Sequence, residues 1–328
     1  MRRKLGKKGI DFMTVEKVVL VCPRGFCAGV KRAIEVVEDC IKLFGKPVYV
    51  KHEIVHNKKV VEDLEKKGAI TIEDIEEVPD NSVVVFSAHG SPPEHYEIAK
   101  RKNLKLIDAT CPLVTKVHLE VKNFAEKGFK IIYVCHKNHI EAQGVMGELK
   151  QGIYPVENKE DVEKLDFDNT EKLVYLTQTT LSVDEAKQTI KAIKEKFPEI
   201  LDPPKQDICY ATTNRQGAIK ELVKKVDLVL VVGSETSSNS KRLVETAKAQ
   251  GKKAFLIDGV EDLKEKWFED IKSVGVSAGA SSPEKIVQEI ADYFEKKGAT
   301  KEELIILEEK MGFVEPFELT KMKKGKSI

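Results

Sequence analysis

Apolar positions along the chain follow two periods. Short β-branched or aliphatic runs at 18–22, 83–86, 130–134, 173–176, 228–232 and 274–276 read as buried strands. Between them, 30–44, 60–67, 114–126, 183–196 and 214–226 bring an apolar side chain round every three or four residues, the period of a helix with one buried face. Gly45 and Gly68 close the first two of these helices. Further strands are expected at 47–50, 104–107 and 254–257, and another helix near 94–102. Strands and helices alternating at this length predict an α/β fold of small, mostly parallel sheets joined by right-handed crossovers.

Three of the strand-to-helix junctions carry a cysteine. Cys27 stands in Pro23-Arg24-Gly25-Phe26-Cys27-Ala28-Gly29-Val30, Cys111 in Asp108-Ala109-Thr110-Cys111-Pro112, and Cys209 in Asp207-Ile208-Cys209-Tyr210. In α/β folds the carboxyl ends of strands are where sites are built. The recurrence divides the chain into α/β units at 28–110, 111–208 and 209–300, followed by a C-terminal segment and basic tail at 301–328. The strand that delivers Cys27 has no unit before it. If 16–27 completes the third unit, the three become equivalent about a pseudo-threefold axis and the cysteines converge on a central site.

Composition narrows the chemistry. The 328 residues can bury two or three ordinary cores, and a net charge of +1, from 55 basic and 54 acidic residues, gives no broad case for nucleic acid or an anionic membrane. No apolar run approaches the roughly 20 residues of a membrane span and no secretory signal is visible, so a cytoplasmic location is expected. The basic ends, 1–8 and 321–326, read as solvated tails. Six cysteines in a reducing compartment are thiols or metal ligands, not disulfides. Cys22 and Cys40 fall in apolar patterns and read as small buried hydrophobes, Cys135 ends a strand, and the junction cysteines remain as candidate ligands.

The loops after other strands supply polar groups in the same register: His56, His139 with Glu141, and Ser237-Ser238-Asn239 in one set, and His89, Thr179 and Ser281 in another. Histidine, hydroxyl and amide donors suit phosphate oxygens, and a helix N-terminus at Ser237 would add to them. Three thiolates leave a metal one ligand short. Structural zinc closes with four ligands, commonly in paired spacing that is absent here, whereas an iron–sulfur cube held by three cysteines keeps one iron open. Glu141 can act as acid or base beside such a centre. Taken singly, each cysteine could be a buried thiol, each histidine a satisfied loop residue, and Ser237 a helix cap. His52, His95, His118 and His136 read as structural or exposed. On residue types alone, a zinc scaffold, an iron–sulfur sensor, a hydro-lyase and a reductase all stay open.

Eight ordered motifs close much of that gap. The Cys27 stretch, Val55-His56-Asn57, Ser87-Ala88-His89-Gly90, Asp108-Ala109-Thr110-Cys111-Pro112-Leu113-Val114, Thr177-Gln178-Thr179-Thr180-Leu181, the Cys209 stretch through Gln216, Ser237-Ser238-Asn239-Ser240 and Ser277-Ala278-Gly279-Ala280-Ser281 together resemble the LytB or IspH family, the 4-hydroxy-3-methylbut-2-enyl diphosphate reductases. The resemblance implies reductive dehydroxylation of an allylic diphosphate to isopentenyl and dimethylallyl diphosphates, the last step of the non-mevalonate isoprenoid pathway. It implies one [4Fe-4S] cluster on Cys27, Cys111 and Cys209 with the fourth iron open to substrate, and Glu141 as proton donor. His139 and Thr179 would assist at the hydroxyl end, and His56, His89, His139, Thr179, Ser237, Ser238, Asn239 and Ser281 would bind substrate. Reduced ferredoxin or flavodoxin would bring electrons to what is expected to be a monomer. Ile140 departs from the proline that the family often has between the histidine and the glutamate, and the first fifteen or so residues extend beyond the family's usual start.

Overall fold

Buried β-branched runs assemble into three separate parallel sheets in the computed structural model, which describes residues 15–168 and 171–325. The basic stretch 1–8 lies outside the described residues. In chain order the first elements are β1 (Lys17–Cys22), α1 (Ala28–Phe44), β2 (Val48–Lys51), α2 (Lys58–Lys67), β3 (Ala69–Ile72), β4 (Val83–Phe86), α3 (Pro93–Arg101) and β5 (Lys105–Asp108). Next come α4 (Pro112–Glu126), β6 (Lys130–Val134), α5 (Ile140–Met146), β7 (Ile153–Val156), α6 (Lys159–Glu163), β8 (Leu173–Thr177) and α7 (Val183–Lys196). The chain continues with α8 (Tyr210–Leu222), β9 (Leu228–Val232), α9 (Ser238–Ala249), β10 (Lys253–Ile257), β11 (Ser273–Ala278), α10 (Glu284–Lys296), β12 (Thr300–Ile305) and α11 (Phe317–Lys323).

The sheets run β3-β2-β4-β5, β7-β6-β8 and β10-β9-β11-β1-β12. Every strand pairing between them is parallel. Helices cover both faces, which is why β4, β8 and β9 are buried along their whole length. Apolar clusters on opposite faces of the five-stranded sheet gather around Phe268, Ile290 and Phe294 on one side and Ile219, Leu222 and Leu243 on the other. The expected α/β architecture of three similar units is therefore present, with sheets of unequal size.

β1 lies between β11 and β12, pairing Val18 with Val274 and with Lys301. The N-terminal strand is thus an inner strand of the last sheet, and β12 carries that sheet past position 300 to Ile305. Three strands escape the sequence pattern for identifiable reasons. β7 holds Pro155, which an edge strand tolerates because no partner needs its missing N–H. β12 is a charged, exposed edge, the composition that blunts strand pairing. β3 is an edge strand whose middle residues, Ile70 and Thr71, are exposed or half-exposed, so it lacks a buried run.

Two expectations need correction. Cys22 is half-buried, not buried, because it ends β1 with its Sγ 3.7 Å from the Leu307 carbonyl at the sheet margin. The 321–326 stretch is not wholly a solvated tail: Lys321 to Lys323 finish α11, whose Leu319 is fully buried in the core around α1. Lys323 pairs with Asp39 at 2.9 Å and Glu315 at 2.5 Å, so acidic partners draw it onto the body of the protein. No described helix is long and apolar enough to cross a membrane.

Gly275 in β11 shows how tightly the five-stranded sheet is packed, since a methyl there would meet Leu222 at 2.8 Å and Val226 at 2.9 Å. Gly275→Ala should cost about 1–3 kcal/mol through overpacking, read as a lower denaturant midpoint at unchanged slope. An unchanged midpoint would show that α8 yields freely there.

Candidate active site

Each junction cysteine occupies the N-cap of a helix: Cys27 of α1, Cys111 of α4 and Cys209 of α8. The three are fixed alike. The N–H of Cys27 donates to the Ala280 carbonyl after β11 (3.1 Å), that of Cys111 to Ala88 after β4 (3.0 Å), and that of Cys209 to Thr179 after β8 (3.0 Å). One hydrogen bond per sheet therefore ties a cysteine to the loop that carries polar groups. Gly25 permits the first turn with φ +68°, a conformation that side chains disfavour. Pro112 starts α4 where a missing N–H costs nothing.

A helix N-terminus favours a thiolate, and the Cys209 sulfur also accepts from the Thr212 N–H at 3.4 Å. Burial works in the other direction, pushing the Cys111 thiol up to about 12 and Cys209 up to about 11. Among the described residues, no group of three or more His, Cys, Asp or Glu side chains is arranged to hold a metal ion. The three thiols instead line one cavity. Gly29 stands beside two of them. A methyl at that position would lie 2.6 Å from the Cys111 sulfur and 3.9 Å from that of Cys27, so glycine keeps the space beside them open.

The rest of the cavity wall sets a few polar side chains among apolar ones such as Val30, Val55, Leu113 and Val114. His56 stacks on His89 with ring centroids 4.0 Å apart, and His139 meets them edge-on at 5.4 and 6.2 Å. His139 caps α5 by accepting from the Glu141 N–H at 3.1 Å through Nδ1, which leaves the proton on Nε2. That Nε2 is buried without a protein partner. Burial holds His139 down to about 3, and the same cause, with the neighbouring histidines, holds His89 well below the ordinary value. Glu141 is buried and accepts from the Thr179 N–H at 2.7 Å. Burial raises its pKa, while the Thr179 hydrogen bonds oppose the rise.

α9 contributes its N-terminus. Ser237 caps it by accepting from the Ser240 N–H at 3.3 Å, and Asn239 accepts from the Ala280 N–H at 2.9 Å. Ser238 donates to the Thr180 carbonyl at 3.4 Å and Ser281 to the His56 carbonyl at 2.9 Å. The fold thus brings every expected site residue, Cys27, Cys111, Cys209, His56, His89, His139, Glu141, Thr179, Ser237, Ser238, Asn239 and Ser281, to one cavity.

Some contributors were not singled out by sequence. Thr212 joins Cys209 to Asn239, its hydroxyl 3.1 Å from the sulfur and 3.3 Å from the amide nitrogen. Its position three residues after a helix-capping cysteine was the available signal. The Tyr210 hydroxyl accepts from the Ala28 N–H at 3.2 Å, linking two cysteine helices. Of the cysteines outside the cavity, Cys40 and Cys135 are core thiols, each pushed up to about 12 by burial. His118 is buried against Glu148 at 2.6 Å.

Comparison with known proteins bears on this cavity. The family described as LytB protein matches residues 18–295. The 4-hydroxy-3-methylbut-2-enyl diphosphate reductase of Haemophilus influenzae (strain PittGG) is 51% identical over 307 residues, 92% of this chain and 98% of that one. The enzyme of the same name from Nitrosomonas europaea is 49% identical over 303 residues, 91% and 94% of the two chains. Among solved structures, the E-1-hydroxy-2-methyl-but-2-enyl-4-diphosphate reductase of Plasmodium falciparum superposes with a TM-score of 0.93 at 43% identity, covering 95% of this chain and 99% of that one. A second, described as (E)-4-hydroxy-3-methyl-but-2-enyl diphosphate reductase, the terminal enzyme of the non-mevalonate pathway, gives 0.62 at 33% identity, covering 85% and 99%.

The half-buried histidines make an acid-sensitive fold. His52, His89, His95, His136 and His139 are all lowered by burial, so below an unfolded value of about 6.5 the unfolded chain takes up protons that the folded chain refuses. Stability is then fully present above that pH and lost as pH falls; the raised Glu141 contributes with the opposite sign. Urea unfolding of the chain should lose about 2 kcal/mol for each ring that stays neutral, several in all, between pH 7 and pH 5. A flat or rising profile over that window would contradict neutral, half-buried rings.

Proposed function

The chain belongs to the LytB family, and from that membership we propose that its cavity converts (E)-4-hydroxy-3-methylbut-2-enyl diphosphate to isopentenyl and dimethylallyl diphosphates at the end of the non-mevalonate pathway. The observation that carries the reading is the meeting of three helix-capping thiols with a buried carboxyl and a wall of neutral donors in one cavity.

The donor set fits an iron–sulfur cluster. Three soft sulfurs come from three different helices, and Gly29 leaves free the space that a methyl would take beside two of them. Cys27, Cys111 and Cys209 are the proposed ligands of one [4Fe-4S] cluster. When bound, the cluster supplies electrons and an open Lewis-acid position.

The remaining chemistry belongs to the chain. The diphosphate end lies against the N-terminus of α9, where Ser237, Ser238 and Asn239, together with Ser281, His56 and His89, offer hydrogen bonds to its oxygens. The Nε2–H of His139, which lacks a protein partner, orients the hydroxyl end. Hydroxide is a poor leaving group, so the departing oxygen needs a proton. Glu141 provides it: burial keeps the proton on its carboxyl to higher pH than an exposed glutamate would hold it, and Thr179 fixes the carboxyl's direction. A reduced ferredoxin or flavodoxin is the proposed electron source for a cytoplasmic, monomeric enzyme.

Anaerobically purified protein should be brown and carry about four irons per chain, and product should form only with a reductant present. Glu141→Gln should keep the iron and the bound substrate yet lower turnover by about a hundredfold or more. A colourless chain holding zinc would overturn the cluster, and normal turnover in the variant would remove Glu141 from the proton role.

A further inference from the structure

Each cysteine-capped helix carries a cation between one and two turns beyond its cysteine: Arg32 on α1, Lys116 on α4 and Arg215 on α8. None of them serves its own cysteine loop. Arg32 donates through Nη1 to the carbonyls of Ala109 at 3.2 Å and Thr110 at 3.0 Å, the residues directly before Cys111. Lys116 donates to the Lys205 carbonyl at 2.9 Å and to Asp207 at 2.5 Å, in the approach to Cys209. Arg215 donates through Nη2 to the Gly25 carbonyl at 2.7 Å, in the approach to Cys27. The direction is the same each time, first unit to second, second to third and third back to first, so the contacts close into a ring.

We infer that Arg32, Lys116 and Arg215 form a cyclic clasp, each acting as a positioning residue for the cysteine of the following unit. The loop carbonyls before a helix have no strand partner, and a cation gives them a charge-assisted hydrogen bond that a mobile loop would lose. Two of the clasps are held in turn by the C-terminal segment, to which sequence reading assigned no role. The Val314 carbonyl accepts from Arg32 Nε at 2.7 Å, and Glu309 pairs with Arg215 at 3.0 Å. Arg215 is the largest fully buried side chain among the described residues, so its charge is spent on these contacts and not on solvent. The clasp rests on the reading that the three thiols serve one site.

The test is cysteine-resolved alkylation, followed by mass spectrometry, of the full-length chain freed of iron. Arg32→Gln should speed modification of Cys111, Lys116→Gln that of Cys209 and Arg215→Gln that of Cys27, each by about tenfold, the effect of losing one charge-assisted hydrogen bond. The cysteine on the substituted helix itself should change by less than about twofold. Lys116→Arg should restore the wild-type pattern. Acceleration of the helix's own cysteine, or of all three alike in a chain with unchanged circular dichroism, would overturn the clasp. Where Arg215→Gln fails to fold, Arg32→Gln and Lys116→Gln, whose cations are partly exposed, decide the matter. Alkylation needs no cluster, so a chain that never binds iron would refute the cofactor reading while leaving this pattern readable. In iron-loaded protein, the same two variants should lose iron to a chelator faster than wild type, again by about tenfold.

Discussion

Three half-buried sulfurs from three separate sheets have to face one space, and most of the architecture follows from that constraint. A single sheet could not do it, because parallel strands deliver their carboxyl ends along a line. Three sheets, each ending in a helix capped by cysteine, can deliver them around a centre. The N–H bonds from Cys27, Cys111 and Cys209 to Ala280, Ala88 and Thr179 make each sulfur's position depend on the polar loop of an adjoining strand. Placement of the thiols and of the polar loops is consequently one construction.

The electrostatics of the cavity match an anionic substrate without burying a cation beside it. His89 and His139 are held neutral by burial, and the other donors are His56, whose Nδ1 stands 3.1 Å from Glu53, together with hydroxyls, an amide and backbone N–H groups. A desolvated lysine in that place would be expensive and would also compete with the sulfurs for charge. Neutral donors at a helix N-terminus avoid both problems.

The strands 18–22, 83–86, 130–134 and 228–232 were legible because both of their faces are buried and their sequence is almost wholly apolar. β7, with Pro155, and β12, with its run of charge, were not, since the proline and the exposed charges remove the apolar signature from these two edges. The junction cysteines and the polar loops could be found from their recurring context. Arg215 and Lys116 could not, because an arginine or lysine on a helix reads as solvated until its partner, Glu309 or Asp207, is seen beside it. The polarity of the C-terminal segment hid its docking for the same reason.

The inner position of β1 has a consequence for how the molecule comes into being. Its two neighbours, β11 and β12, lie at the far end of the chain. During synthesis the first strand made must wait, unpaired, for nearly the last, which gives this sheet the most distant contacts in the fold and the slowest closure. Cys27 follows that strand directly. The earliest of the three thiols in the chain therefore reaches its place only once β11 and the loop holding Ala280 have been made.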